Sequence, residues 1–286
     1  MLRIALFADV HGKLLLPFKL VRYYQNLTGN KIDFILQCGD MGIFPHKDRL
    51  DKATLRHAKN DRDELGFMDE FVQVKPKVQH LLDELNIPLI GVRGNHEDHQ
   101  FLDKLEKETS TPYFSVDVYQ KIFVCQTAKP FILDNGIDNL SVVGIGRIGD
   151  EKGRTSDKFI QDYERKNIDT LIKDSKNKSI EFDILITHDK STSNQRGFGL
   201  PDIEKLLDNI PFHYHFYGHT GEPFNQTLAD NGITQSVKIQ ELEFNTKGTL
   251  SAGCMLILEK SGNDIRLTDI PLHQIIHFDK KIWRNL

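Results

Sequence analysis

Leu2-Arg3-Ile4-Ala5-Leu6-Phe7-Ala8-Asp9-Val10-His11-Gly12 is an apolar run of strand length that stops abruptly at an acid, an imidazole and a glycine. A central strand of an α/β sheet has this form, because its carboxyl end opens onto the crevice where ligands bind. The pattern recurs twice. Residues 33–37 predict a second strand running into Cys38-Gly39-Asp40, and residues 87–92 a third running into Arg93-Gly94-Asn95-His96-Glu97. Between the first two, Leu16, Leu20, Tyr23, Tyr24 and Leu27 recur at three- and four-residue steps, which predicts a helix over residues 14–27. Alternating strand and helix signals mark βαβ units in a layered α/β fold.

The rest of the chain is organised around that core. A highly charged segment at about residues 45–80, including Lys59-Asn60-Asp61-Arg62-Asp63-Glu64, reads as a helical insertion: a pair of solvated helices able to form a rim over the site. Strand candidates follow at residues 121–126, 141–145, 182–187, 213–217 and 255–259, with helices over 156–175 and 201–209 and a loop at 177–179. Residues 240–286 are expected to complete the second sheet and its edge. Neither a repeat nor a Pro- or Gly-rich linker divides the chain, so residues 1–286 read as a single domain of two facing halves.

Composition narrows the class. Of 286 residues, 39% are hydrophobic and 27% charged, an ordinary globular balance. The longest apolar runs, at 4–7 and 254–258, fall far short of the roughly 20 residues a membrane span needs, and mean hydropathy is −0.41. The first apolar run is also too short for a signal-peptide core, so the reading is a cytoplasmic protein with no membrane partner. Cys38, Cys125 and Cys254 form no CxxC pair and are expected to be reduced and buried. A net charge of −4 and a pI near 6.3 argue against a broad nucleic-acid footprint, though not against a local groove.

The groups at the strand ends, in order, are Asp9 and His11, Asp40, Asn95 and His96, His188, and His219. Carboxylate, imidazole and amide oxygen without thiolate suit two hard-to-borderline divalent ions. At a strand end, side chains at i and i+2 point to the same side, so Asp9 and His11 are expected to converge. Gly12, Gly39, Gly94 and Gly218 sit beside these residues and allow tight turns.

The ordered strings DVHG, CGDMG, RGNHE, THD and YGHT resemble the calcineurin-like metallophosphoesterase superfamily. That resemblance implies a four-layer αββα sandwich with two facing mixed β-sheets. It implies a first metal on Asp9, His11 and Asp40 and a second on Asp40, Asn95, His188 and His219, with Asp40 bridging. The metals would be two divalent ions, Mn²⁺ in vitro and Mn²⁺ or Fe or Zn in the cell. A metal-bridging hydroxide would attack phosphorus in line, and His96 would contact the phosphate and protonate the leaving oxygen. Many relatives end in GHxH, whose last histidine joins the first metal. Here the string is Gly218-His219-Thr220-Gly221, so that ligand is replaced by glycine. Water would fill the position, or the first metal would bind weakly.

RGNHE and DVHG look like phosphoprotein phosphatases, and by that match Arg93 would touch phosphate. Their GDxVDRG motif is not kept: Gly39-Asp40-Met41-Gly42-Ile43-Phe44 lacks the Asp that orients the catalytic histidine and a phosphate-binding Arg. CGD, GNHE followed by Asp98-His99, and Thr187-His188-Asp189 bear a looser likeness to lariat-debranching enzymes. The favoured function is therefore a phosphodiesterase or nuclease-like enzyme. The alternative is a phosphomonoesterase acting on a phosphoprotein or nucleotide, and a remote one is a metal-free interaction scaffold. The partner is a phosphoester substrate, nucleic acid or nucleotide among the candidates. Arg147 and Lys190 are further substrate contacts without motif support, and residues 196–200 are a candidate lip carrying Arg196 or Phe198. His213 and His215 alternate and are expected to share one side of a strand. His46, His57, His80, His99, His273 and His277 read as surface groups.

Overall fold

Strand β1 (Leu2–Phe7) is buried on both faces from Ile4 to Phe7, which is why its sequence there is an unbroken apolar run and not an alternating one, while the partly exposed Arg3 pairs with Glu259 at 2.7 Å. Ile4 and Leu6 enter a core shared between two sheets, whereas Ala5 and Phe7 enter a second core under outer helices. The same split recurs in β2 (Phe34–Gln37) and β3 (Leu89–Gly91): Leu36 and Ile90 point into the shared core, Ile35 and Leu89 into the outer one. The computed structural model describes residues 1–193 and 195–286.

The remaining strands are β4 (Tyr113–Ser115), β5 (Ile122–Cys125), β6 (Phe131–Asp134), β7 (Asn139–Ile145), β8 (Ile184–Thr187), β9 (Tyr214–Tyr217), β10 (Asn225–Leu228), β11 (Gln235–Lys238), β12 (Leu256–Ser261) and β13 (Asp264–Asp269). Among the described residues, one sheet has seven strands in the order β13-β12-β1-β2-β3-β5-β4 and the other six, in the order β10-β11-β9-β8-β7-β6. Both sheets are mixed. β1, β2, β3 and β5 run parallel with antiparallel edges, as do β7, β8, β9 and β11. Val142, Ile184, Ile186, Phe216 and Val237 of the second sheet meet Leu6, Leu36 and Ile90 of the first.

Helices cover both outer faces. Helices α1 (Leu15–Thr28), α4 (Pro76–Leu85) and α5 (His99–Glu108) pack on the first sheet, and α6 (Asp162–Lys178) and α7 (Pro201–Asn209) on the second. This is the four-layer αββα sandwich. Helix α1 ends where Gly29 turns left-handed at φ 71° and its N–H closes on the Gln25 carbonyl. Cys38, Cys125 and Cys254 are buried and unpaired. Among the described residues, no helix is long and apolar enough to cross a membrane.

Several expectations are corrected. The segment after β2 is not a pair of solvated helices: it breaks into short pieces, α2 (Lys52–His57) and α3 (Gly66–Glu70) with 3-10 turns before each, and sinks Phe67 and Phe71 into the outer core. Strands β12 and β13 join the first sheet, because β12 pairs antiparallel with β1, so residues 240–286 do not complete the second sheet. Helix α6 continues to Lys178, through the expected loop, and ends at Ser179 in a left-handed conformation.

His213 and His215 do not behave alike. β9 starts at Tyr214, leaving His213 exposed, while His215 is fully buried with Nε2 2.8 Å from Thr187 Oγ1 and Nδ1 3.2 Å from Ser236 Oγ. Burial pushes its pKa down to about 3, so the folded ring stays neutral where the unfolded one takes up a proton near pH 6.5. The folded value is the lower one, so stability is lost as pH falls below about 6.5. Between pH 7 and 5 the loss is roughly 2 kcal/mol from this ring. His215→Gln should therefore lose less stability than the parent over that range in denaturant melts, and parallel losses would show that the ring is not the cause.

Candidate metal centre and active site

The loops following β1, β2, β3, β8 and β9 meet at one end of the sandwich. Among the described residues, five in them are non-glycine and left-handed: Asp9 (φ 48°), His11 (φ 40°), Asp40 (φ 52°), Arg196 (φ 56°) and His219 (φ 63°). Such backbone is uncommon and strained, and it persists where the surroundings impose it. Here two loops are laced together. Asp9 N–H donates to the Gly39 carbonyl at 3.1 Å, those of Val10 and His11 to the Asp40 carbonyl at 3.1 and 2.9 Å, and that of Gly12 to the Met41 carbonyl at 3.0 Å. Asp9 and His11 thus converge, but not through strand alternation, because β1 ends at Phe7 and both lie in the turn beyond it. Any side chain at Gly94 would collide with Asp40 Oδ1, and one at Gly218 with Asp9 Oδ2. Glycine is what lets these loops close on the carboxylates.

All six residues expected as ligands come together. Donor atoms of Asp9, His11 and Asp40 lie within 4.8 Å of one another, as do those of Asp40, His188 and His219, so Asp40 belongs to both groups. Asn95 Oδ1 is 3.1 Å from His188 Nε2, which is itself 3.3 Å from Asp40 Oδ1. The donor set fits two divalent ions: oxygen and imidazole nitrogen, preorganised, with two carboxylates deeply buried. Burial raises the Asp9 carboxyl, helped by the Asp40 charge and opposed by His188 and Lys238. For Asp40, burial is outweighed by His188, which holds its carboxyl well below the usual range. Burial would lower His188, but Asp40 and Asp9 raise it instead. Lys238, buried with Nζ donating to the Ile239 carbonyl at 2.6 Å, is a cation near Asp9 that sequence reading did not single out.

His96 has a partner that the motif comparison did not supply. Its Nδ1 is 2.7 Å from Oδ2 of Asp51, whose Oδ1 accepts the Thr54 N–H at 2.7 Å and caps α2. Burial works against charge on this ring, but the Asp51 hydrogen bond and the Asp40 and Asp51 charges raise its pKa to about 9. Asp51 thus favours the protonated ring. This partner comes from the segment after β2, where only an N-cap signal, Asp51-x-x-Thr54, could have drawn attention to it. Glu97 is a second unanticipated support: its buried carboxylate accepts N–H groups of Met41 at 2.8 Å and Ile43 at 2.7 Å and fixes the loop after Asp40.

The candidate substrate contacts fare differently. Arg93 and Arg147 are 2% and 0% exposed, and neither is available as a phosphate grip. Arg93 pairs with Asp103 at 2.5 Å and Glu106 at 2.6 Å, and Arg147 with the same Asp103 at 2.6 Å and Glu164 at 2.9 Å. The guanidinium groups are thereby neutralised, by Glu164, which is buried, and by Asp103 and Glu106, which are partly so. His99, also buried near them, is no surface histidine. Lys190 lies 3.9 Å from Glu222 in a separate cleft with Tyr217 and Thr227. Arg196 is exposed on a left-handed turn. Its neighbours do reach the centre: the Phe198 ring is 5.0 Å from that of His219, and the Gly197 carbonyl is 3.3 Å from His219 Nε2.

A cavity of about 460 Å³ opens beside the centre, bounded by His11, His96, Thr54, Glu64, Glu241 and Glu243. Among the described residues, no lysine or arginine lines it. Lys13, buried underneath, ties down two of the acids, 2.9 Å from Glu243 and 3.8 Å from Glu64.

Residues 2–223 match the family model described as calcineurin-like phosphoesterase. The chain belongs to that family. It is accordingly a metal-dependent phosphoric ester hydrolase, and the resemblance of its five motifs is borne out. Among solved structures it is similar to TT1561 of Thermus thermophilus, at 14% identity and a TM-score of 0.53 over 94% of this chain and 99% of that one. It is similar also to GAP50, the anchor in the inner membrane complex of Plasmodium, at 13% identity and a TM-score of 0.53 over 94% and 84%. These likenesses concern the calcineurin-like phosphoesterase fold alone. No curated protein matches the sequence significantly.

Proposed function

We propose that the chain hydrolyses a small phosphodiester at two divalent ions, Mn²⁺ foremost, one held by Asp9, His11 and Asp40 and the other by Asp40, Asn95, His188 and His219. The observation that carries this reading is the shared Asp40, whose carboxylate belongs to both close groups of donor atoms. When bound, the ions supply Lewis acidity and an acidified water for attack on phosphorus. His96 gives its proton to the leaving oxygen. With Nδ1 engaged by Asp51, Nε2 is the nitrogen left to deliver it.

Two features support a monoanionic diester over a dianionic monoester or a polyanionic nucleic acid. Arg93 and Arg147 are spent on carboxylates. The cavity beside His96 is walled by Glu64, Glu241 and Glu243 and lined by no lysine or arginine among the described residues, so that even with Lys13 offsetting Glu64 and Glu243 from beneath, Glu241 opposes further negative charge on the leaving group. Turnover of bis(p-nitrophenyl) phosphate with Mn²⁺ should exceed that of p-nitrophenyl phosphate, and oligonucleotides should be poor substrates. Preference for the monoester, or efficient cleavage of RNA or DNA, would overturn the substrate assignment.

Asp51 allows a finer check. Asp51→Asn retains a good helix cap and a hydrogen-bond partner while removing the charge that favours imidazolium. Turnover of a diester with an alkyl leaving group is expected to fall about 10- to 100-fold, a part of what a general acid supplies. An aryl ester, whose leaving oxygen needs little protonation, should change little, and bound metal should not change. Equal losses on both esters would remove Asp51 from this role.

A further inference from the structure

Gly221 occupies the position from which relatives of this type extend a last metal-binding histidine, and the structure suggests what has taken its place. A β-carbon built at Gly221, whose φ is +66°, stands 3.8 Å from Oε1 of Glu241. The Glu241 carboxylate thus occupies the side of the centre into which a side chain at position 221 would grow. Its backbone is fixed to the first motif: Glu241 and Ala8 form a parallel bridge, and the Leu242 N–H donates to the Ala8 carbonyl at 3.0 Å, one residue before Asp9. Glu241 also borders the cavity that His11 and His96 enter.

We propose that Glu241 is the protein ligand that completes the first metal site, in place of the histidine that Gly221 has displaced. This rests on the reading of Asp9, His11 and Asp40 as ligands of that ion. Three further observations bear on it. The charge of Glu241 acts on both Asp9 and His11. Its carboxylate makes no hydrogen bond or ion pair among the described residues, whereas Glu243 is bound to Lys13 and Glu222 to Thr220. The close group of first-site donors comprises Asp9, His11 and Asp40, so Glu241 joins by turning about its own side-chain torsions, with no partner to give up.

The substitution changes the character of the site. Asp9, Asp40, Glu241 and His11 make three carboxylates and one imidazole, a harder set than one with two histidines, and it shifts preference towards Mn²⁺ or Mg²⁺ over Zn²⁺. The match to the family model ends at residue 223, so this ligand comes from outside the matched part of the chain.

The test is a calorimetric titration of the metal-stripped full chain with MnCl₂, beside Glu241→Gln and Glu222→Gln. The parent and Glu222→Gln should bind two Mn²⁺ alike. Glu241→Gln should bind one as the parent does and the other about 10- to 100-fold more weakly. Two ions bound by Glu241→Gln with the parent's affinities would overturn the assignment while leaving the paired-metal reading intact. Equal weakening in Glu222→Gln would overturn it too, by reducing the effect to general negative charge. A parent that binds no Mn²⁺ would remove the paired-metal reading and this inference with it.

Discussion

Asp40→Asn is expected to lose turnover by about a thousandfold or more while the fold survives. Asp40 is common to both groups of candidate donors, so neutralising it would weaken the hold on both of the proposed ions, whose Lewis acidity would be worth several kcal/mol. At about 1.4 kcal/mol per factor of ten, a loss of that size follows. The choice of asparagine matters. Asp40 Oδ1 also accepts the N–H groups of Asn95 at 2.7 Å and His96 at 2.8 Å, and an amide oxygen can take over that duty. Alanine would leave both donors without a partner, at about 1–3 kcal/mol each, and confuse a chemical defect with a folding one. Rate, metal content and thermal melt should be measured on one preparation. Near-parental turnover in Asp40→Asn would remove Asp40 from the centre of the chemistry.

His96→Ala is expected to separate the other way, keeping the metals and losing the rate. The ring is tied to Asp51 and belongs to neither group of candidate donors, so its removal costs no ligand. The loss should be about 100- to 10,000-fold for alkyl esters, the usual span for a positioned acid, and smaller for aryl esters. Undiminished hydrolysis of an alkyl diester would withdraw the role. Because the leaving oxygen decides the size of the effect, a single activated substrate would conceal it.

What was legible in the sequence was what adjacent residues decide among themselves. An unbroken apolar run followed by Asp, His or Asn is written locally, and β1, β2, β3 and the loops behind them were read from it. The candidate ligands were found for the same reason. What escaped depends on partners far along the chain. Asp51 meets His96 across 45 positions, from a segment whose charge suggested only a wet surface. Arg93 and Arg147 looked like phosphate contacts because Asp103, Glu106 and Glu164, which claim them, sit on helices that nothing in the motif announces. Sheet membership is equally remote: Leu2 pairs with Lys260, so a strand from the last quarter of the chain lies beside the first. His213 and His215 part at a single boundary, since the strand begins between them.

The provenance of the candidate ligands has one more consequence. Asp9, His11, Asp40 and Asn95 hang from the loops of one sheet, while His188 and His219 hang from those of the other. An ion shared among them would act as a rivet through the seam between the two layers, resisting any sliding of one past the other. In such a design the enzyme's cohesion and its catalytic competence would be one and the same contact, and whatever strips the cation would loosen the seam as well as stop the reaction.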